Sequence, residues 1–306
     1  MENPKTAASE APARQVSEVL RYGARRLISK GIENAALDAE VLLGHVLGLS
    51  RAQILLAAHT PLDDTQSRTY ERLLSRRSER EPTAYITGER EFWSLDFRVS
   101  PDVLSPRPET ELLIEIALTL AKESASARPV RIIDLGTGSG AIAVALASEL
   151  ASAEIIATDV SAGALGVAAG NAVRNGVAER IRFVQGDLFD AIQPEKPIDL
   201  VVSNPPYIRR PYIDRLEPEV SRWEPRGALD GGLDGLDYYR RIAAQAFRYL
   251  VPHGALAVEI GAGMGQAVAA LFQDAAECAG VNIYNDYTRI ERVVVARKVG
   301  ARTKSI

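Results

Sequence analysis

Val130-Arg131-Ile132-Ile133-Asp134-Leu135-Gly136-Thr137-Gly138-Ser139-Gly140 decides how the rest of the chain is read. A short β-branched run ends in three glycines at alternate positions, and an alanine-rich apolar run follows. The first part predicts a buried strand over 130–135 and the last a helix over 139–150. Between them the glycines permit a turn that a Cβ would forbid, and let a ligand come close to the main chain. No Gly-Lys-Ser/Thr follows, so this is not a P-loop. The spacing is also tighter than the Gly-x-Gly-x-x-Gly dinucleotide turn.

Downstream, strand and helix patterns alternate. Strands are expected at 154–158, 181–185, 198–203 and 255–260, with helices at 162–175, 238–250 and 265–276. Two final strands, 281–284 and 293–297, follow one another closely and suggest one antiparallel strand at the end. Such alternation predicts an α/β domain with a mostly parallel sheet and helices on both faces. Upstream the pattern changes. Residues 16–80 are helical in periodicity, with Val19, Leu20, Leu27 and Ile28 on one face and Leu37, Val41, Leu42, Val46 and Leu47 on another. Leu73 and Leu74 mark a last helix whose Arg68, Arg72, Arg76, Arg77 and Arg80 read as a solvated face. The expected domains are a helical bundle over 1–81 (1–13 disordered), a β-hairpin linker over 82–108 whose strands are read in the alternating, aromatic stretch 91–99, and the α/β domain over 109–306.

Composition narrows the function classes. Hydrophobic residues at 46% and charged residues at 25% suit a soluble globular protein, and the net charge of −4 argues against a general polyanion-binding surface. Cys278 is the single cysteine, which excludes an internal disulfide and fits a reducing compartment. His45, His59 and His253 are scattered, so no metal site is expected. No signal peptide, transit peptide or membrane span is expected, and the most apolar late stretch is interrupted by Glu259.

The strand at 198–203 runs into Asn204-Pro205-Pro206-Tyr207. Two prolines fix φ and donate no hydrogen bonds, and each keeps the residue before it out of the helical region. Asn204 therefore sits on a stiff elbow at a strand's carboxyl end, where open α/β sheets bind ligands. Its side-chain oxygen and the Pro205 carbonyl are two fixed acceptors that suit a planar NH2 group. A simple Asn-Pro turn is the bland alternative. Two more strands end in acids. Asp159 ends 154–158 and is placed to accept from ribose hydroxyls, while Gly186-Asp187-Leu188 follows 181–185, with Asp187 facing an adenine amino group and Leu188 covering the ring. Any one of these acids alone reads best as a cap or turn. Together with Gly136, Thr137, Gly138, Ser139 and Gly140 they describe an adenosyl ligand without phosphate grips, S-adenosylmethionine.

This set resembles the class I S-adenosylmethionine-dependent methyltransferases, a Rossmann-like seven-stranded fold. Further strings resemble the HemK (PrmC) family: Ala84-Tyr85-Ile86-Thr87-Gly88, Glu91-Phe92-Trp93, Pro106-Arg107-Pro108-Glu109-Thr110-Glu111, Glu224-Pro225-Arg226 and Leu229-Asp230-Gly231-Gly232-Leu233-Asp234-Gly235-Leu236. Ser105 and the segment 286–292 depart from the family pattern. The resemblance implies methyl transfer to the side-chain amide nitrogen of the glutamine in the Gly-Gly-Gln motif of peptide chain release factors. Asn204, Pro205, Pro206 and Tyr207 then form the catalytic elbow, and Asn204 also borders the cofactor. It implies a cytoplasmic monomer with a release factor as protein partner and neither membrane nor direct nucleic-acid binding. Three rivals remain at this point: a ribosomal-protein glutamine methyltransferase, an adenine amino methyltransferase acting on nucleic acid, and a non-catalytic S-adenosylmethionine-binding protein. From composition alone the Pro106–Glu111 string reads as a helix start, and the arginine-rich segment 208–223 as a solvated loop.

Overall fold

The computed structural model describes residues 15–124, 128–193 and 197–300; the disorder expected for 1–13 lies outside these. The chain forms two compact units, Met1–Thr87 and Gly88–Ile306. The expected hairpin therefore falls in the second unit rather than standing alone.

The first unit is helical: α1 (Val16–Ile28), α2 (Ala35–Leu47), α3 (Arg51–Leu56), α4 (Asp64–Ser78) and α5 (Thr83–Thr87). Val19, Leu27, Leu42, Leu43, Ile54, Tyr70 and Leu74 form its core. Ile28, Leu37 and Val41 are exposed, contrary to expectation. The buried face of α2 runs instead through Ala35, Asp38, Ala39, Leu42 and Leu43, because three- and four-residue steps from Ala35 select those positions. Asp38 on that face explains a second difference. Its carboxylate accepts from Arg77 at 2.7 Å and from Thr83 at 2.9 Å, so Arg77 is buried rather than solvated. Arg76 is forked onto Glu81, and Arg80 reaches the Gly31 carbonyl; Arg68 and Arg72 do stay exposed. Residues 83–87, at the start of the expected linker, form the short helix α5. The Pro82 carbonyl accepts from Tyr85 and Ile86 and starts a turn there.

The second unit opens with a hairpin, β1 (Glu89–Phe92) and β2 (Leu95–Arg98), turned at Trp93 and Ser94, both at φ 54°. Then come α6 (Glu111–Glu123), β3 (Arg131–Leu135), α7 (Ala141–Glu149), β4 (Glu154–Asp159), α8 (Ala162–Arg174), β5 (Ile181–Gln185), β6 (Ile198–Ser203), α9 (Pro218–Ser221), α10 (Asp237–Tyr249), β7 (Leu250–Glu259), α11 (Gly265–Gln273), β8 (Cys278–Asn285) and β9 (Glu291–Lys298). Seven strands form one sheet in the order β5-β4-β3-β6-β7-β9-β8. The first five of these pair in parallel, and β9 runs antiparallel to both β7 and β8. The last strand thus inserts inside the sheet instead of ending it. β7 starts five residues earlier than its expected start at Ala255, across Pro252-His253-Gly254, with a register shift between Ile198 and Leu200 of its partner.

Helices cover both faces. Leu113, Ile114 and Ala117 of α6, Val144 and Leu146 of α7 and Ala172 of α8 share one core with Phe92 and Phe97 of the hairpin. Tyr239, Ile242 and Phe247 of α10 with Val268 and Phe272 of α11 fill the other. All six residues of β6 are buried, as expected for a central strand that is apolar on both sides. The chain leaves β3 toward β4 on one side and resumes at β6 on the other. This is the point where an open sheet splits its crossovers and leaves a crevice beyond the strand ends.

Candidate active site

Register brings the key residues to that crevice. Leu135 of β3 lies beside Ser203 of β6, and Ser203 lies beside Val258 of β7. The next residues along are Gly136, Asn204 and Glu259, so three distant segments end at one level. Asp159 ends β4 at the same edge, since Thr158 pairs with Leu135.

A cavity of about 220 Å³ occupies the crevice. Of the sequence-predicted residues, Gly136, Thr137, Gly138, Ser139, Asp159, Asp187, Leu188, Asn204 and Pro206 line it. Gly140 lies behind the wall. Its φ is 81°, and a Cβ there would stand 3.0 Å from Ala168 Cβ, so glycine lets α8 close against the turn. Asn171 of α8 fixes the same turn from beneath. Its buried amide donates to Ser139 O at 2.8 Å and to Arg98 O at 2.9 Å, and its oxygen accepts from Arg98 N at 2.7 Å. The carboxylate of Asp159 accepts from Gly138 N and from Ser161 N, both at 2.9 Å, which ties the glycine turn to the end of β4 and leaves lone pairs over for a ligand. Asp187 is paired with Arg241 at 2.8 Å and is half-exposed. Asp134 is fully buried. Burial pushes it up to about 7 against the Thr137 hydroxyl and the Ala143 N–H, and its Oδ1 has no hydrogen-bond partner.

Segment 102–107 completes the wall, with Ser105, Pro106 and Arg107 all lining the cavity. The Pro-Arg-Pro string therefore frames the site as well as preceding α6. Arg107 is the one basic residue of the lining, and its Nη2 lies 2.6 and 2.5 Å from the two carboxylate oxygens of Glu224. This pair couples the two proline-arginine strings that lie over 100 residues apart in sequence. Segment 229–235 closes on the elbow. Ile208 N donates to Leu229 O and Gly231 N to Ile208 O, both at 2.9 Å. A Cβ on Gly231 would sit 2.8 Å from Pro206 O, so no larger residue fits that approach.

A second cavity of about 250 Å³ adjoins the first, lined by Pro205, Tyr207, Ile208, Leu216, Val220 and Leu229. Leu104, Arg107, Asn204 and Ala228 line both. Asn204 thus stands on the wall between the crevice and an apolar slot. Its Nδ2 donates to Thr110 Oγ1 at 3.2 Å, and Thr110 Oγ1 donates to Glu259 Oε2 at 2.6 Å. With its NH2 held there, the carboxamide keeps Oδ1 as a free acceptor. Burial pushes Glu259 up to about 7, with the Thr110 hydroxyl pulling the other way. Tyr207 is pushed up to about 12, mainly by burial, so its hydroxyl keeps its proton. Thr110 lies in the Pro106–Glu111 string but is not among the predicted site residues, and Glu259 and Asn171 lie in no such string. For Glu259 the available signal is an acid ending the otherwise apolar strand β7.

Among the described residues no cluster of histidine, cysteine, aspartate and glutamate is arranged to hold a metal ion, and no helix is long and apolar enough to cross a membrane.

Comparison with known proteins agrees with this layout. Residues 18–88 match a family model described as PrmC N-terminal domain, and residues 109–213 match the methyltransferase small domain. The chain is 42% identical to a release factor glutamine methyltransferase of Geobacter sulfurreducens, over 92% of this chain and 96% of that protein. It is 45% identical to the protein of the same name from Cereibacter sphaeroides, over 92% of this chain and 98% of that protein. Among solved structures, the hMettl16 catalytic domain in complex with MAT2A 3'UTR hairpin 1 superposes with a TM-score of 0.53 at 16% identity, covering 80% of this chain and 86% of that chain, which shows the shared methyltransferase fold. At such identity over nearly the full length, with a glycine turn, a strand-ending acid and an Asn-Pro-Pro-Tyr elbow on one crevice, this chain belongs to the release factor glutamine methyltransferase family.

Proposed function

We propose that this enzyme transfers a methyl group from S-adenosylmethionine to the side-chain amide nitrogen of the glutamine in the Gly-Gly-Gln motif of peptide chain release factors. The observation that carries the reading is Asn204, an oriented carboxamide on the wall shared by a nucleoside-type crevice and an apolar slot.

The crevice suits the proposed cofactor. Among the described residues of its lining the single basic side chain, Arg107, is already bound to Glu224, so no side chain there offers a free cation to a phosphate. Asp159 at the turn opposes an anionic ligand and favours a cationic one. S-adenosylmethionine supplies an electrophilic sulfonium methyl group that carries its own leaving group. The glycine turn of Gly136 to Gly140 cradles it, Asp159 accepts from the ribose hydroxyls, and Asp187 and Leu188 bound the adenine.

In the slot, Asn204 Oδ1 and the Pro205 carbonyl accept the two N–H bonds of the glutamine amide. An amide nitrogen is a poor nucleophile because its lone pair is delocalised. Holding both N–H groups aims that nitrogen at the methyl carbon and favours pyramidalisation. Positioning of this kind contributes up to about 7–11 kcal/mol in ideal cases. Pro206 stiffens the elbow. Tyr207, neutral across the working range, packs against the glutamine side chain rather than removing a proton. The methylated nitrogen loses its proton to water, and no general base is assigned. The lone free Cys278 is compatible with a cytoplasmic setting.

The test is labelled S-adenosylmethionine offered in parallel to a release factor, its Gln-substituted variant, a ribosomal protein and DNA. Label on the unsubstituted release factor alone is the expected result. Label on DNA or on the ribosomal protein overturns the substrate assignment, and label on nothing overturns the activity.

A further inference from the structure

We propose that Glu259, bonding the Asn204 side chain directly and also through Thr110, sets which end of the Asn204 carboxamide faces the substrate, and is thereby a positioning residue for the transfer. This deepens the reading above and rests on it. Hydrogen-bond polarity fixes the orientation. A hydroxyl has one proton to give. Thr110 gives it to Glu259 Oε2 at 2.6 Å, so toward Asn204 it can only accept, and Nδ2 at 3.2 Å supplies the donor. The carboxamide is then turned with Oδ1 outward, the polarity needed to accept from a glutamine NH2. Were Glu259 protonated, its O–H would donate to Thr110, whose own proton would turn to Asn204. The amide would flip and present NH2 to NH2, a donor against a donor.

Burial makes that switch reachable. Thr110 and Glu259 are 4% and 2% exposed. Around the carboxyl stand Thr110 and Glu109 from the segment entering α6, Asn204 and Tyr207 from the elbow, Arg292 from β9 and Tyr239 from α10. Tyr239 donates its hydroxyl to the Glu259 backbone carbonyl, not to the carboxyl. Burial outweighs the two hydrogen bonds and Arg292, and brings the group to about 7. The carboxylate is the productive form, so transfer should fade as pH falls through that value.

The experiment follows kcat against pH with the full chain, a release factor and labelled S-adenosylmethionine, both substrates saturating. Wild type should show an acid limb centred near 7. In Glu259→Gln that limb should vanish, leaving a flat profile. Asp134, also raised to about 7, is the other group able to give such a limb, so Asp134→Asn should retain it. At the middle of the relay, Thr110→Val should lower kcat about 100-fold, while Thr110→Ser, which keeps the hydroxyl, should restore most of it. Thr110 also borders the crevice, so affinity for S-adenosylhomocysteine should change only a few-fold in both, far less than kcat falls in Thr110→Val. A limb that survives in Glu259→Gln, a limb lost in Asp134→Asn, or equal losses in the two Thr110 variants overturns the relay alone. A wild type that labels no release factor overturns the parent reading and the relay with it.

Discussion

Asn204→Ala should bind S-adenosylmethionine nearly as well as wild type and lose about 100- to 1,000-fold in kcat, the size of effect seen when one preorganised polar group is removed from a reacting centre. The asymmetry follows from where the side chain stands. The crevice retains its glycine turn and Asp159, so ground-state cofactor contacts are nearly intact. The slot loses the acceptor that fixes the nucleophile, and Thr110 loses the donor that Asn204 gave it. Cofactor titration with a parallel single-turnover measurement separates the two quantities. A variant that binds cofactor poorly yet turns over normally when saturated would assign Asn204 to cofactor binding instead.

Asp159→Ala should do the reverse. Its carboxylate accepts from Gly138 N and Ser161 N, and under the proposed reading from the ribose as well. Hydrogen bonds to a charged group contribute about 1.5–3 kcal/mol each, so losing the ribose contacts and loosening the turn together should raise the cofactor Kd by about 100-fold or more. At saturating cofactor, kcat should remain within a few-fold of wild type, because Asn204 just after β6 is held by Thr110 before α6 and Glu259 of β7, not by the turn that Asp159 braces. Isothermal titration with S-adenosylhomocysteine measures this directly, and an unchanged Kd removes Asp159 from the ribose site.

Much of this was legible because local chemistry and global fold agree. Buried β-branched runs closed by glycine or acid mark β3 and β4, and β6 declares itself by the stiff Asn-Pro-Pro-Tyr elbow that ends it. What escaped was whatever depended on distant partners. Thr110 read as a helix start and Glu259 as a break in an apolar run. Only parallel pairing of β6 with β7, and the return of the chain before α6, bring them to Asn204, 94 residues from Thr110 in sequence. Asn171 carries no local signal, because its role depends on the hairpin and the glycine turn on either side of it. Arg77 reads in sequence as a surface charge because its partner Asp38 lies 39 residues away. Strand β9 defeated chain-order reasoning, since nothing local tells a strand to insert between two others.

The central claim is geometric: one oriented carboxamide holds a glutamine amide at the mouth of a cofactor crevice. The direct measurement is the structure of this enzyme with S-adenosylhomocysteine and a Gly-Gly-Gln peptide of a release factor. The account predicts the glutamine side chain in the slot beside Tyr207, its amide nitrogen within hydrogen-bond distance of both Asn204 Oδ1 and the Pro205 carbonyl, with Asn204 Nδ2 still on Thr110. A glutamine bound elsewhere, or met by the NH2 end of Asn204, would contradict it.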